Sequence, residues 1–246
     1  MKIAIFDHLI NDSNAIGKCH REIVTRLADK YEFTVFAVKF DNPRPDRIKF
    51  VRVPALRRPL LGIMVSFHLI APLVLWWYKW RTGEEFDLVQ GIGGNFLFAD
   101  LAYVHLCHRV YLRKHRDARP KAIVRRIYSW LYDSIVSMLE PINYRRSKFI
   151  VTPSNGLARE LKENFAGAKD DKIHIISNPI NVAYMQKPAD FDPAPVRKEI
   201  GFTDEQDFIM IFVAAGHFER KGLPILLKAL ARVNNRHAKL IVVGGK

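Results

Sequence analysis

One short stretch carries residue types and a spacing that could hold a phosphate group. In FVAAGHFERKGLPILLKALARV, Phe212–Val233, a strand-like run ends at Gly216, and Arg220 and Lys221 come just before Gly222. Glycine permits a sharp turn, and the first N–H groups of the helix that follows have no partner inside that helix. Two cations beside such a helix start predict a site for a phosphate or diphosphate. The alternative is a solvated loop whose charges are incidental.

The imidazole of His105, in the run LAYVHL (Leu101–Leu106), is a second group that could do chemistry. Histidine is intermediate in burial, so an imidazole in an apolar strand is commonly a core residue with satisfied hydrogen bonds. Ligands of open α/β sheets, however, bind beyond the carboxyl ends of the strands. Both interpretations stay open for His105, and His108, close behind it, is an alternative for the same role.

Other familiar motifs are missing or incomplete. The glycines of Gly91–Asn95 follow a strand but do not form a GxGxxG that opens a helix. The sequence contains no HExxH, no cluster of His and Asp ligands and no GxSxG, so we predict neither a metal site nor a serine hydrolase. Cys19 and Cys107 form no CxxC, which excludes a disulfide framework and fits a reducing cytoplasm.

The charge of the chain favours anionic partners. Its 246 residues include 39 Lys and Arg against 25 Asp and Glu, a formal net charge of +14. The segment Leu101–Ile150 alone holds eleven basic and three acidic residues. Such an excess attracts nucleic acid, anionic lipid or phosphorylated ligands. A solvated helix surface and a surface for an anionic partner are both open interpretations of this segment.

The elements that must position these residues alternate along most of the chain. Strands are predicted over Lys2–Phe6, Phe33–Val38, Ile48–Val53, Phe86–Gly94, Leu101–Leu106, Lys148–Ser154 and Lys172–Ser177. Helices are predicted over Ala15–Lys30, over Lys121–Arg145 with an interruption near Pro141, and over Asn155–Phe165. Strands separated by helices predict βαβ crossovers and a parallel sheet.

The alternation stops after Asn178 in a passage rich in proline and poor in periodicity, which predicts the passage between two domains. Beyond Asp207 it restarts with a strand, the helix LPILLKALARV and the strand KLIVVGG. A parallel sheet needs cover on both faces, and about 60 residues provide little of it. We therefore expect the second domain to be incomplete.

The apolar run Pro59–Tyr78 has no charged residue and is long enough to cross a bilayer. Pro72 should kink or break a helix there. The run also stands between two predicted strands, where a parallel sheet requires a crossover. We therefore predict a crossover helix rather than a membrane span. The cluster Trp76–Trp80, next to basic residues, is typical of an anchor at a membrane interface.

These segments together resemble glycosyltransferase family 4. The motif G-x-x-x-x-K-G of Gly216–Gly222, with the apolar helix after it, resembles the start of that family's nucleotide-sugar-binding domain. FIVTPSNGLARELKENF, KIHIISNPINVAYM and AIGKCHREIVTRLA resemble, respectively, its late strand–Ser–helix element, its interdomain passage and its first loop and helix. The resemblance implies the GT-B fold, in which two Rossmann-like domains face each other across a cleft. Here it implies an N-terminal acceptor-side domain over 1–179 and an incomplete nucleotide-sugar-binding domain over 180–246.

The resemblance also implies roles for particular residues. Lys221 would contact the donor diphosphate and stabilise the departing nucleotide, with Arg220 as a second contact. Gly17 would let the first loop approach the donor, and Gly216 would close the strand edge beneath it. His105 would be the active-site histidine that faces the donor sugar.

The implied reaction is transfer of a hexose from a nucleotide diphosphate sugar to an acceptor hydroxyl, with retention of configuration and without a metal or other cofactor. The acceptor would be a polysaccharide, a glycolipid or a lipid-linked molecule. The family's paired glutamates would lie beyond Lys246, so we expect the 246 residues alone to be inactive. We expect a cytoplasmic protein, with an anionic membrane surface as an open alternative partner and without nucleic acid.

Two other functions compete with this interpretation. A non-enzymatic basic module could bind membrane or nucleic acid, although no helix-turn-helix, RNP or zinc-finger pattern supports it. A Rossmann oxidoreductase would lack its dinucleotide fingerprint.

Overall fold

The computed structural model describes residues 1–12, 15–114, 122–180, 182–216 and 218–245, apart from the side chains of residues 183, 184 and 220. It divides into two compact units, Met1–Ile180 (unit 1) and Asn181–Lys246 (unit 2). The sequence places its domain boundary one residue earlier, between 179 and 180. Part of the basic segment Leu101–Ile150, and Lys121 as the predicted helix start, lie outside the described residues.

Unit 1 is built from strands that alternate with helices. Its strands are β1 (Lys2–Ile10), β2 (Glu32–Phe40), β3 (Ile48–Arg52), β4 (Leu88–Ile92), β5 (Leu101–Tyr103), β6 (Phe149–Thr152) and β7 (Ile173–Ile175). Its helices are α1 (Ala15–Leu27), α2 (Leu60–Thr82), α3 (His108–Lys114), α4 (Ile123–Arg146) and α5 (Asn155–Asn164). The strands form one sheet in the order β3-β2-β1-β4-β5-β6-β7, with every neighbouring pair parallel. The predicted parallel α/β sheet is confirmed.

Both faces of this sheet carry apolar side chains, and β1 illustrates why. Successive side chains of a strand point to opposite faces. Ala4 and Phe6 belong to the core cluster that includes α2, whereas Ile3 and Ile5 belong to the cluster that includes Val24 of α1. The strand is therefore apolar almost throughout, as strands covered on both faces are.

The apolar run forms α2, the crossover between β3 and β4. Among the described residues it is the one helix long and apolar enough to cross a membrane, with 22% of its most apolar window buried. Those buried side chains, including Phe67 and Ala71, pack into the core of the sheet. Pro72 was expected to kink or break the helix, and the expectation of a break is wrong, because α2 runs unbroken from Leu60 to Thr82. Proline removes one backbone hydrogen bond, and core contacts before it and after it, at Val74 and Leu75, hold the axis.

Pro141 likewise does not interrupt α4, which runs unbroken to Arg146. The residues on both sides of it are fixed by burial, because Glu140, Asn143 and Tyr144 are each at most 1% exposed. Tertiary packing on the same side of the helix therefore outweighs the single hydrogen bond that proline removes.

The described residues of unit 2 form two parallel strands and four helices. They are α6 (Val182–Met185), α7 (Pro193–Glu199), β8 (Phe208–Val213), α8 (Phe218–Lys221), α9 (Leu223–Leu230) and β9 (Ala238–Val243). β8 pairs with β9. Ala214 is the only buried hydrophobic residue in the described part of this unit, and Ile211 and Val213 of β8 are largely exposed.

The docking of α2 on the sheet can be tested with two residues of the same helix. Phe67 is fully buried, whereas Leu69 is 68% exposed. We expect Phe67→Ala to lower the free energy of unfolding by about 3–5 kcal/mol, because it leaves a cavity in the core. Leu69→Ala should change it by less than about 0.5 kcal/mol. Urea unfolding measures both, and equal losses from the two variants would contradict this packing.

Candidate functional site

A cavity of about 150 Å³ lies at the carboxyl edge of the sheet in unit 1. It is enclosed by the loops that follow β4 and β5, by the start of α1 and by α4. Its lining residues are Ile16, Ile92, Gly93, Gly94, Asn95, His105, Leu106, His108, Tyr132, Val136, Glu140 and Tyr144. Because ligands of open α/β sheets bind at this edge, we take the cavity, called the polar cavity below, as the candidate site. It brings His105 and His108 together with the glycine loop of Gly91–Asn95.

His105 lies in the loop after β5, and its predicted place at the end of a strand over Leu101–Leu106 is wrong. β5 ends at Tyr103, since the pairing with β6 stops after Val104 has bonded to the carbonyl of Val151. Nε2 of His105 is 3.2 Å from Oδ1 of Asn178. Burial lowers the pKa of this imidazole below its ordinary value, although the hydrogen bond to Asn178 opposes the shift. The ring is therefore neutral at pH 7.

His108 has a structural partner, the buried carboxylate of Glu140. Oε1 of Glu140 accepts the backbone N–H of His108 at 2.7 Å and lies 3.1 Å from Nδ1 of the same residue. Oε2 accepts the backbone N–H of Arg109 at 3.2 Å. The carboxylate thus satisfies the first N–H groups of α3, which have no partner inside the helix. It also fixes the orientation of the His108 ring.

The glycine loop after β4 is held by hydrogen bonds to three different elements. The carbonyl of Gly93 accepts a hydrogen bond from Asn143 of α4 at 2.7 Å. Nε2 of His68, on α2, is 2.8 Å from the carbonyl of Gly94. Asn95 donates to Oδ1 of Asp7, on β1, at 2.7 Å. The wall of the polar cavity is therefore held by β1, α2 and α4 together.

Asp7 is a residue that the sequence interpretation did not assign to the site. Its Oδ1 accepts hydrogen bonds from Asn95 and from the backbone of His8, whereas its buried Oδ2 has no partner among the described residues. Burial raises the pKa of this carboxyl to about 7, against the effect of its hydrogen bonds. Asp7 also interacts electrostatically with Tyr132, a lining residue. The available signal was an acidic residue inside the apolar strand KIAIFDHLI.

Gly17 was predicted in the first loop, but it lies in the first turn of α1. A Cβ at this position would lie 2.7 Å from the carbonyl oxygen of Leu9 and 3.0 Å from the backbone nitrogen of Asn11. Both atoms belong to the backbone and cannot move away cheaply. Glycine is therefore required for the close approach of α1 to the end of β1, whatever contact it makes with a donor.

Of the four predicted diphosphate-binding residues, Gly17 lies in unit 1, and Lys221, Arg220 and Gly216 lie in unit 2. Lys221 is exposed at the end of the one-turn helix α8, where the sequence predicted a loop. Gly222 follows with φ +92°, a left-handed conformation that favours glycine, and is the N-cap of α9. Gly216, with φ +132°, lies three residues after the end of β8. Arg220 belongs to α8, and its side chain is outside the described part of the structure.

One group of possible metal ligands occurs among the described residues: Asp204, Asp207 and His237. Nδ1 of His237 is 3.4 Å from Asp204 and 3.5 Å from Asp207. These contacts tie the start of β9 to the segment before β8. None of the three belongs to the predicted donor-binding residues, and an exposed acidic group of this kind does not by itself indicate a metal.

The stability of unit 1 should depend on pH through His20, which is fully buried beside His105. Burial lowers the pKa of His20 to about 3, from an ordinary value of 6.5. Below pH 6.5 His20 becomes protonated in the unfolded chain but stays neutral in the folded chain. The free energy of unfolding therefore falls as the pH falls towards 3. Between pH 6.5 and pH 5 His20 alone contributes a loss of about 2 kcal/mol. The buried His8, with its pKa also lowered to about 3, acts in the same direction, and Asp7, with its pKa raised to about 7, acts in the opposite one.

We therefore expect His20→Leu to reduce the dependence of the unfolding free energy on pH in this window. The variant His174→Leu, at an exposed position of β7, is the matched control and should leave the dependence unchanged. Urea unfolding at the two pH values measures the slope. An unchanged slope in His20→Leu would contradict a buried, neutral imidazole.

Two solved structures are similar to the chain in fold. The crystal structure of WaaG, a glycosyltransferase involved in lipopolysaccharide biosynthesis, has a TM-score of 0.66 at 12% identity, over 98% of this chain and 63% of WaaG. A glycosyltransferase from Rickettsia africae ESF-5 has a TM-score of 0.53 at 13% identity, over 99% of this chain and 60% of that one. The chain thus spans less than two thirds of the length of both. The GT-B-like fold class predicted from the sequence is confirmed.

No curated protein matches the chain. The family model described as Glycosyltransferase Family 4 matches residues 17–184, well over half of the chain. That match extends from the first turn of α1, through the polar cavity and Asn178, to the start of unit 2. The chain belongs to glycosyltransferase family 4.

Proposed function

We propose that the protein transfers a hexose from a nucleotide diphosphate sugar to an acceptor hydroxyl, with retention of configuration and without a metal or other cofactor. The observation that carries the proposal is the segment Gly216–Gly222 between β8 and α9, in a chain of this family. It puts a lysine directly before a glycine-capped helix, whose dipole favours an anion at that end. The side-chain cation carries most of this site, because Pro224 has no N–H and those of Gly222 and Ile225 are bonded to backbone carbonyls.

Lys221 is the principal donor contact in this proposal. Its ammonium group binds the diphosphate and stabilises the negative charge that develops as the nucleotide leaves. Arg220 is the second cation, and Gly216 closes the strand edge beneath the donor. These groups do the electrostatic work that a divalent cation does in other transferases.

His105 is the proposed catalytic residue of unit 1. Its Nδ1 is buried, and its Nε2 lies 3.2 Å from Oδ1 of Asn178. A hydroxyl of the donor sugar or of the acceptor therefore takes the place of Asn178 as the acceptor of the Nε2 hydrogen in this proposal. His108 is the alternative, but its Nδ1 already lies next to Glu140. Gly17 contributes by letting the backbone of α1 come close to the sheet edge.

The role of Lys221 is tested by its removal from the full-length enzyme. We expect Lys221→Ala to lower kcat/KM for hexosyl transfer by about 10²-fold or more, the scale for one preorganised charge contact at a transition state. Lys228→Ala is the matched control, because Lys228 is an exposed lysine on the neighbouring helix α9. A near-normal rate in Lys221→Ala, or equal losses in both variants, would refute the assignment.

The acceptor in this proposal is a polysaccharide, a glycolipid or a lipid-linked molecule, and the protein is cytoplasmic and attached peripherally to a membrane. The outer side of α2 supports the attachment. Leu73, Trp76 and Trp80 are each at least 65% exposed. Lys79 and Arg81 accompany them, and the guanidinium of Arg81 lies 5.3 Å from the centre of the Trp77 ring. Exposed tryptophan beside basic residues suits the interface of an anionic membrane.

Co-sedimentation with anionic vesicles at low salt tests the attachment. We expect the protein to bind, and we expect Trp76→Ser with Trp80→Ser to reduce the bound fraction severalfold, because the anchor loses its apolar area. Met185→Ser, at an exposed apolar position in unit 2, is the control and should bind normally. A protein that stays in the supernatant at low salt would exclude peripheral attachment.

A further inference from the structure

A second cavity of unit 1, called the apolar groove below, lies between α2 and α4. Its volume is about 300 Å³, at the lower end of the range for ligand pockets. The side chains that line it are nearly all apolar. They are Met64, Val65, His68, Leu69, Pro72, Phe96, Leu97, Phe98, Ile135 and Leu139.

The apolar groove and the polar cavity share the glycine loop as a wall. Gly94 and Asn95 line the polar cavity, and Phe96, the next residue, lines the groove. His68 lines the groove and holds the carbonyl of Gly94 with its Nε2 at 2.8 Å. One short segment of backbone therefore has a polar site on one side and an apolar site on the other.

The two cavities also share α4. Tyr132, Val136 and Glu140, at spacings of four, line the polar cavity, whereas Ile135 and Leu139 line the groove. Residues three and four apart are neighbours on a helix surface. The two sets therefore form adjacent stripes, one next to His105 and one apolar.

A cation stands at the edge of the groove. The guanidinium carbon of Arg146, an exposed residue at the end of α4, lies 5.2 Å from the centre of the Phe98 ring. This contact keeps positive charge beside an apolar wall. A neutral or anionic amphiphile would be tolerated there, and a cationic one would be repelled.

We propose that the apolar groove holds the hydrocarbon chain of the acceptor, while the acceptor's hydroxyl end lies in the polar cavity beside His105. The proposal rests on the proposed transferase function and narrows its acceptor to an amphipathic lipid. An apolar slot next to a site with hydrogen-bonding groups matches both parts of such a molecule. A single chain suits a narrow groove of this volume better than another protein does, since stable protein interfaces bury about 1,200–2,000 Å².

Alkyl glucosides are suitable probes because they carry sugar hydroxyls on a neutral head and a chain of chosen length. Binding is measured by calorimetry on the full-length protein, below the critical micelle concentration, so that no bilayer or micelle takes part. From octyl to dodecyl glucoside, each added methylene that enters the groove should tighten binding by up to about fourfold. Methyl glucoside should bind far more weakly.

Two leucines of α2 give a matched pair of variants. Leu69 lines the groove and is 68% exposed, whereas Leu73 is 65% exposed and is absent from the groove lining. We expect Leu69→Asp to weaken dodecyl glucoside binding by about tenfold or more, since it replaces an apolar contact by a charge that the probe's hydrocarbon chain would have to desolvate. Leu73→Asp should change it by less than about twofold. Thermal unfolding verifies that both fold, and the pair Leu69→Gln and Leu73→Gln replaces any variant that does not.

Equal weakening in both variants would indicate adsorption on the outer side of α2, and no weakening in either would leave the groove unused. Either result overturns the proposal. Loss of probe binding when two copies of the protein associate would also overturn it, because the groove would then be a contact between copies.

Failure of the proposed transferase function gives a different result. A protein that binds dodecyl glucoside through Leu69 but transfers no hexose would refute the proposed function and with it the acceptor role of the groove. Transfer to sugars without any preference for an alkyl chain would refute the groove alone.

Discussion

The site of unit 1 depends on the fastening of one glycine loop. The backbone N–H of Gly93 bonds to the carbonyl of Tyr103, and three hydrogen bonds that involve side chains join the loop to distant elements. Asn143, His68 and Asp7 bring α4, α2 and β1 to the same three residues. Because buried polar groups without partners are costly, these hydrogen bonds also restrict how α2 and α4 can pack. The same loop then separates the polar cavity from the apolar groove, so both cavities follow from it.

The strands could largely be predicted from the sequence, because short apolar runs covered on both faces leave a strong local signal. The helices were less well predicted at Pro72 and Pro141. Considered locally, a proline is expected to end or kink a helix. Both prolines, however, lie in helices whose neighbouring turns are buried in the core. The strand over Leu101–Leu106 was overextended for a similar reason, since its end is set by where β6 stops pairing. That information lies almost 50 residues away.

The sequence could indicate individual residues of the candidate site, but it could not indicate which of them contact each other. His105 could be proposed from its place at the end of a predicted strand, yet its partner Asn178 is 73 residues away. The pairs His108–Glu140 and Asp7–Asn95 are separated by 32 and 88 residues. Spacing in the sequence indicates which residues share a helix side or a strand face. It does not indicate which loops a parallel sheet brings to the same edge.

The composition of α2 follows from the surfaces that this helix serves. One side packs on the sheet through Phe67 and Ala71, a second lines the groove through Leu69, and a third exposes Trp76 and Trp80. An ordinary surface helix is apolar on one side alone, and a helix apolar all round is usually buried or in a membrane. α2 is neither fully buried nor an isolated span, because it crosses one face of the sheet from the edge strand β3 to β4, with β2 and β1 between them. Its high hydropathy therefore comes from apolar residues on three sides, in the core, along the groove and on the exposed surface.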